Sequence, residues 1–321
     1  MVRDMTELEF KKVELEHKDL ISGYFHKYCS RSCERSFVNV YLWSRYYPVT
    51  FGIVESALVF KSESEDRLAF AFPAGEPEHV KRALEVLENY SHKRGYPFCL
   101  YNITESNFSL LEEWYPGRFQ IEYDEDQADY VYETEKLASL SGKKLHAKRN
   151  HINKFKAVYE GRWNYEPMSP ENLEDCFQMG LIWRQENDCE ENDEKLAEIC
   201  VTLNSLRLFE DLELTGGVLR VDGEAVAFTI GEPLCGDTFV VHIEKALSRV
   251  PEAYAMINQQ FVCHACMDYR YVNREEDTGA EGLRRAKRSY RPVFMVEKGF
   301  VTERAEYTGA DNISDDKSDN A

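Results

Sequence analysis

Apolar positions recur at two spacings along this 321-residue chain, and the changes between them divide it into elements. In PEHVKRALEVLENYSHKRG, Val80, Ala83, Leu84, Leu87 and Tyr90 lie three or four residues apart, the spacing of one helix face, and Gly95 stops the run. Before it, the aromatic amphipathic stretch FVNVYLWSRYY leads into three β-rich segments between Phe51 and Phe72, separated by polar turns. After it come a strand (PFCLYNIT), a helix (ESNFSLLEEWYPG) and a strand-rich segment ending near Glu135. The same order then returns. SPENLEDCFQMGLIWRQE has proline at the first helical position and an acidic first turn. GGVLRVDGEAVAFTIG is a hairpin in which Asp222 and Gly223 supply the positive φ angles of a tight primed turn, and TFVVHIEKA is its third strand. The helix PEAYAMINQQFVCHACM, the strand YRYVN, the short helix EGLRRAKRSY and the β segment RPVFMVEKGFV complete it. Both halves read helix, three-strand meander, helix, strand, helix, strand. This pattern predicts an α+β protein of two tandem domains, residues 1–138 and 139–301, each a mixed sheet flanked by helices.

Composition adds a packed, globular character, with 43% hydrophobic and 13% aromatic residues. The final segment, 302–321, is polar, acidic and nearly free of large apolar residues, so it is expected to be a disordered tail. No stretch approaches the roughly eighteen apolar residues of a membrane helix, and the first twenty residues are charged throughout. These features predict a cytoplasmic protein with reduced thiols. Cys263 and Cys266 form a CxxC inside a helix-like run with no second ligand pair, so no metal site is expected.

A net charge of −19 makes local basic clusters informative. In LSGKKLHAKRNHINKFKAVY, which joins the halves, Leu145, Ile152, Phe155 and Tyr159 form an apolar stripe. Lys148 falls inside that stripe and Arg149 at its edge. A cation on a core-facing stripe breaks the local rule, as functional residues do, although a snorkelling lysine has the same pattern. In GLRRAKRSYRP, Leu283, Ala286 and Tyr290 make a second stripe with Lys287 beside Leu283, and Arg284, Arg288 and Arg291 around it. No acidic residue between Glu281 and Glu297 balances them, which favours contact with phosphates over a solvated face.

The loop before that helix, Arg274 to Gly279, follows a strand, where α/β domains often bind ligands. Glu275 and Asp277 are its candidates for accepting a proton or binding an ammonium group, against the alternative of an acidic first turn. His242 and Glu244 alternate onto one face of the third meander strand and are further candidates for a base. No P-loop, GxGxxG, HExxH or GxSxG motif with a workable triad order is present, which removes kinase, dehydrogenase, zinc-protease and hydrolase readings.

The segments GKKLHAKRNHINKF and VNREEDTGAEGLRRAKRSYRPVFMVEKG, with FVNVYLWSRYY, resemble the DUF2156 group, bacterial proteins related to the C-terminal domain of phosphatidylglycerol lysyltransferase. The resemblance covers nearly all of the chain except the tail. It implies two tandem GNAT-like (acyl-CoA N-acyltransferase type) domains, a supporting first repeat and a catalytic cleft in the second. Matching segments assign Lys148, Arg149, Asn150, His151 and Asn153 to one site motif. They assign Asn273, Arg274, Glu275, Asp277, Gly279, Gly282, Leu283, Lys287, Ser289 and Tyr290 to the other. The implied activity is acyl or aminoacyl transfer to an amine or hydroxyl, with Arg284 and Arg288 holding donor phosphates and Lys148 and Lys287 neutralising charge. The membrane spans that precede this domain in the lipid-modifying enzymes are not in this sequence, which counts against phosphatidylglycerol as acceptor. EKALSRVPEAYAMINQQ lacks the glycine-containing pyrophosphate loop of coenzyme A-dependent members, so aminoacyl-tRNA is favoured over acyl-CoA as donor. A peripheral lipid headgroup is a further possible partner. The competing expectation is a non-catalytic protein that binds RNA, a nucleotide or a lipid headgroup in the same basic cleft.

Overall fold

The computed structural model describes residues 8–307. Among them the first sheet is built from β1 (Lys11–Lys12), β2 (Val49–Val54), β3 (Ala57–Glu63), β4 (Leu68–Ala71), β5 (Cys99–Thr104) and β6 (Phe119–Tyr123). The second contains β7 (Asp129–Glu133), β8 (Trp163–Pro167), β9 (Thr215–Val221), β10 (Glu224–Cys235), β11 (Thr238–Ala246), β12 (Tyr271–Asn273) and β13 (Phe294–Val296). The last strand, β14 (Lys298–Glu303), returns to the first sheet. The helices are α1 (Lys18–Lys27), α2 (Phe37–Trp43), α3 (Pro77–Lys93), α4 (Glu105–Trp114) and α5 (Thr134–Ser139). They continue with α6 (His146–Val158), α7 (Leu173–Glu186), α8 (Asp193–Arg207), α9 (Ala253–Ala265) and α10 (Glu281–Ser289). Both sheets are mixed, and the protein is an α+β fold of two units, each built on one seven-stranded sheet flanked by helices.

The two compact units are not the contiguous halves 1–138 and 139–301. One comprises residues 1–17, 47–125 and 297–321, the other 18–46 and 126–296. The segment RPVFMVEKGFV, which reads as one strand, divides at Glu297: β13 pairs with β7, whereas β14 lies between β5 and β6. Periodicity gives a strand's existence and not its partner, because pairing is settled by which sheet edge buries its faces. The first residues of the tail expected from residue 302 are ordered instead. Thr302 and Glu303 belong to β14, and Glu303 is buried against Arg118, at 2.8 Å. The remainder of that tail, 308–321, lies outside the described residues. β8 and α8 were not anticipated. α8 lacks a clean apolar stripe, since its inward face includes Thr202 and Ser205, whose hydroxyls bond back to helix carbonyls.

In the second unit, α9 places Met256, Ile257, Phe261 and Val262 in the core formed with Leu219, Phe239 and Val241 of the sheet. The expected tight turn is present, with φ of 53° at Asp222 and 85° at Gly223. β10 and β11 pair in register until Ile230 opposes Ile243, after which Gly231 opposes Val241 and His242 has no residue across from it. Such a bulge re-aims the side chain it carries. Gly231 allows it, because a Cβ there would lie 2.1 Å from the Val240 carbonyl oxygen. Gly231→Ala must push the two central strands apart, and we expect it to lower unfolding free energy by about 2–3 kcal/mol in a denaturant titration.

Candidate active site

β12 runs parallel to β11 and stops at Asn273, opposite Val240, while β11 continues for six residues. The chain after β12 turns onto that uncovered stretch. Consecutive outward positions on β11 then each receive one residue of the loop: His242 takes Glu275, and Glu244 takes Arg274.

The His242 imidazole lies between two carboxylates. Nδ1 is 2.7 Å from Glu275 Oε1 and Nε2 is 3.0 Å from Glu232 Oε1. The first turn of α2 supports both acids, because the Ser36 hydroxyl donates to Glu232 and the Asn39 amide donates to Glu275 at 3.3 Å. Burial by itself would favour the neutral ring, since only 7% of the side chain is exposed. The hydrogen bonds that the ring donates to Glu232 and Glu275 outweigh it and raise the pKa to about 10, so at neutral pH His242 is an imidazolium. At neutral pH its ring has no lone pair left with which to take a proton. Oε2 of Glu275 makes no hydrogen bond among the described residues, which leaves a carboxylate oxygen available.

This arrangement makes stability depend on pH with a definite sign. The folded pKa of His242 lies above the ordinary value of 6.5. The imidazolium's contribution is therefore complete below about pH 6 and is lost as pH rises through about 10. We expect unfolding free energy to fall between pH 7 and pH 10 by on the order of 3–5 kcal/mol, and His242→Gln to flatten that dependence in denaturant titrations.

Beside this triad, Glu244 accepts from Arg274 Nη2 at 2.9 Å and from Asn258 of α9 at 3.0 Å. The Arg274 guanidinium lies 5.0 Å from the Tyr290 ring centroid, and the Lys148 ammonium sits 4.1 Å from the same ring. Burial lowers the pKa of Lys148, with Arg274 adding to the effect, and burial raises that of Tyr290 to about 12. Arg274 Nη1 is buried with no hydrogen-bond partner, and Lys148 has no ion pair among the described residues. Two cations thus flank one tyrosine, and of the two only Arg274 is bonded to a carboxylate, that of Glu244. A buried donor left unpaired costs about 1–3 kcal/mol, so the arrangement suits an incoming anion.

Other sequence candidates hold the site together. Lys287 is buried, and its ammonium donates to the carbonyls of Arg274 (2.7 Å), Glu275 (3.1 Å) and Glu276, which accounts for all three protons. Asp277 is fully buried and accepts from Gly279 N–H (3.0 Å), the Tyr130 hydroxyl (2.6 Å) and both Nε and Nη2 of Arg284 (2.8 and 2.7 Å). Although burial opposes ionisation, these bonds keep its pKa below the usual value. With its lone pairs engaged it has no capacity left to take a proton from substrate. Arg284 is correspondingly committed to Asp277 and Asp126 rather than to a donor phosphate. Asn273 receives the Glu275 N–H at 2.7 Å and donates to Asp129 at 3.0 Å, holding the loop from its first residue.

Several candidates fall away from this centre. Arg149 donates to the carbonyls of Leu140 and Gly142 and closes the turn after α5. His151 pairs with Glu252 at 2.6 Å, Asn150 contacts His146 at 3.4 Å, and Asn153 is exposed. Ser289 bonds back to the Ala286 carbonyl. Gly282 and Leu283 face outward, with Leu283 44% exposed, whereas the largely exposed Arg288 reaches Tyr130, the tyrosine that donates to Asp277. The apolar stripe expected on α10 is thus misplaced: its inward face is Lys287 and Tyr290, because the carbonyls of the loop offer the lysine a better environment than solvent. Ser36, Asn39, Glu232 and Asn258 were not anticipated. Glu232 alone carried a signal, as the one acid in the apolar strand AVAFTIGEPL.

The family of phosphatidylglycerol lysyltransferase C-terminal domains matches residues 25–300, which include every residue of this site. The chain belongs to that family. A conserved protein of Bacteroides thetaiotaomicron is similar over 93% of this chain and 100% of its own, at 38% identity and a TM-score of 0.87. The C-terminal domain of a lysylphosphatidylglycerol synthetase from Agrobacterium fabrum has the same fold, with a TM-score of 0.65 over 91% of this chain and 92% of its own, at 13% identity. An uncharacterized protein of Mycoplasmoides gallisepticum is 26% identical over 59% of this chain, and the match spans only 61% of that relative. Membership places the chain among aminoacyltransferase-like proteins. No helix of the described residues is long and apolar enough to cross a membrane.

Proposed function

We propose that this lysyltransferase-family protein transfers an aminoacyl group from the ester of an aminoacyl-tRNA to an amine or hydroxyl acceptor. The observation that carries the reading is the pairing of Glu275, whose one free carboxylate oxygen is backed by an imidazolium, with the cations of Arg274 and Lys148, which await an anion. The acceptor N–H or O–H attacks the ester carbonyl and gives its proton to Glu275. The C–O bond to the ribose breaks, and the ribose oxygen leaves with a proton returned from the same carboxyl. Lys148 and Arg274 hold a phosphate or carboxylate of the substrates and, with nearby N–H groups, offset negative charge developing at the carbonyl. His242 keeps Glu275 ionised and oriented, which makes it a positioning residue.

Support for the aminoacyl donor comes from the family and from the absence of a glycine-rich pyrophosphate loop after β11. The test is a mass-spectrometric screen of the purified protein with a mixed pool of charged tRNA, or with acyl-CoA, against amine, hydroxyl and phosphatidylglycerol-vesicle acceptors. The proposal requires loss of aminoacyl ester with a matching new product. Transfer from acyl-CoA alone would overturn the donor assignment, and saturable tRNA binding without any turnover would identify a binding protein instead.

A further inference from the structure

Two buried polar atoms without a partner belong to the two side chains that hold Glu244. Its Oε1 accepts from Arg274 Nη2 at 2.9 Å and its Oε2 from the Asn258 amide at 3.0 Å, and each donor side chain arrives with one atom unused. Asn258 is 2% exposed, and its Oδ1 has no donor. Arg274 Nη1 is buried as well and has no acceptor. The two vacancies differ in kind: Asn258 Oδ1 calls for a donor and Arg274 Nη1 for an acceptor, so a simple anion would satisfy only the arginine and a metal ion only the asparagine. Charge is arranged in the same sense. Glu244 Oε2 adds negative charge beside the asparagine, while Lys148, which shares the Tyr290 ring with Arg274, adds positive charge beside the arginine. The complementary ligand is dipolar, a cationic N–H donor a short way from a carbonyl or carboxylate oxygen.

We propose that Glu244, Asn258 and Arg274 form a subsite for an α-aminoacyl unit, with the α-ammonium on Glu244 Oε2 and Asn258 Oδ1 and the neighbouring carbonyl oxygen on Arg274 Nη1. An ammonium has three N–H donors, enough for both acceptors, and in an α-amino acid derivative a single carbon separates it from the carbonyl carbon. The subsite reads the part that all α-amino acids share and leaves the side chain to other contacts. Arg274 and Glu275 adjoin in the chain and dock on Glu244 and His242, two positions apart on one face of β11, which brings an acyl group held here beside the carboxylate of Glu275. The inference rests on the transferase reading for what the acyl group is attached to, and it deepens that reading by making a free α-ammonium a requirement of the donor.

Titration calorimetry of the full chain with a panel of L-amino-acid amides, each paired with its N-acetyl derivative, tests the subsite without any turnover. At least one amide should bind saturably, and its N-acetyl partner roughly 100-fold more weakly or not at all, because acetylation removes the charge and leaves the buried acceptors unpaired. Glu244→Gln, which keeps the size of the side chain, should weaken the same amide by roughly 10- to 100-fold. The comparison of each amide with its N-acetyl partner is made on the wild type, so it decides the matter even where the variant does not fold. Equal binding of the two members of a pair, or binding of no amide, would overturn the subsite. Charged tRNA separates that failure from failure of the transfer reaction. Transfer from N-acetylated aminoacyl-tRNA as fast as from the unblocked form would overturn the subsite and keep the transferase. Ammonium-dependent binding of amides with no turnover of any donor would keep the subsite and overturn the transferase.

Discussion

Glu275→Gln is expected to lower kcat/KM for aminoacyl transfer by roughly 10²–10⁴-fold, the range for removal of a general base. The amide keeps the size of the side chain and can still meet Asn39, but it has no lone pair basic enough to take the acceptor's proton. The same change removes one of the two carboxylates that raise the His242 pKa, so that value should fall from about 10 toward an ordinary histidine's. Single-turnover kinetics with charged tRNA, together with an NMR titration of the imidazole, report both effects. A His242 pKa that falls while transfer stays within threefold of wild type would mean that Glu275 is a structural partner and that the base lies elsewhere.

Lys287→Met should unfold the protein more readily and silence it together. The thioether matches the apolar part of the lysine, but the carbonyls of Arg274, Glu275 and Glu276 lose the ammonium that gathers them. With about 1–3 kcal/mol for each buried group left unsatisfied, a loss of roughly 3–6 kcal/mol is expected in denaturant titrations. Lys287→Arg should not rescue it, since a planar fork cannot converge three protons on one point as an ammonium does. In crystals of either variant the loop from Arg274 to Asp277 should be displaced. Glu275 has φ of 56° there, a conformation that a side-chain-bearing residue keeps only when its surroundings hold it. An unchanged loop would show that Asn273 and Asp277 suffice to position the base.

These expectations show where sequence pattern stopped being informative. Lys148 and Lys287 both stood out as cations on apolar stripes, and both stripes gave the same signal. One of them rests on Tyr290 with its charge unpaired, while the other is saturated by three carbonyls. A helical wheel records the direction of a side chain and not what waits for it. Asp277 and Glu275 were likewise equivalent candidates two residues apart. Arg284, Tyr130 and Gly279 use up the first, and only the second retains a free oxygen.

The sequence by itself determined the α+β class, the repeated order of elements, the tight turn at Asp222 and Gly223, and the segments from which the site is drawn. Those properties follow from local spacing and turn chemistry, which act over a few residues. Tertiary structure alone decided that residues 18–46 join the second unit and that the chain divides at Glu297. It also decided that Glu232, Ser36 and Asn39 complete a site whose motifs lie far along the chain. Strand pairing and buried hydrogen bonds select partners by geometry across hundreds of residues, and no local pattern carries that choice.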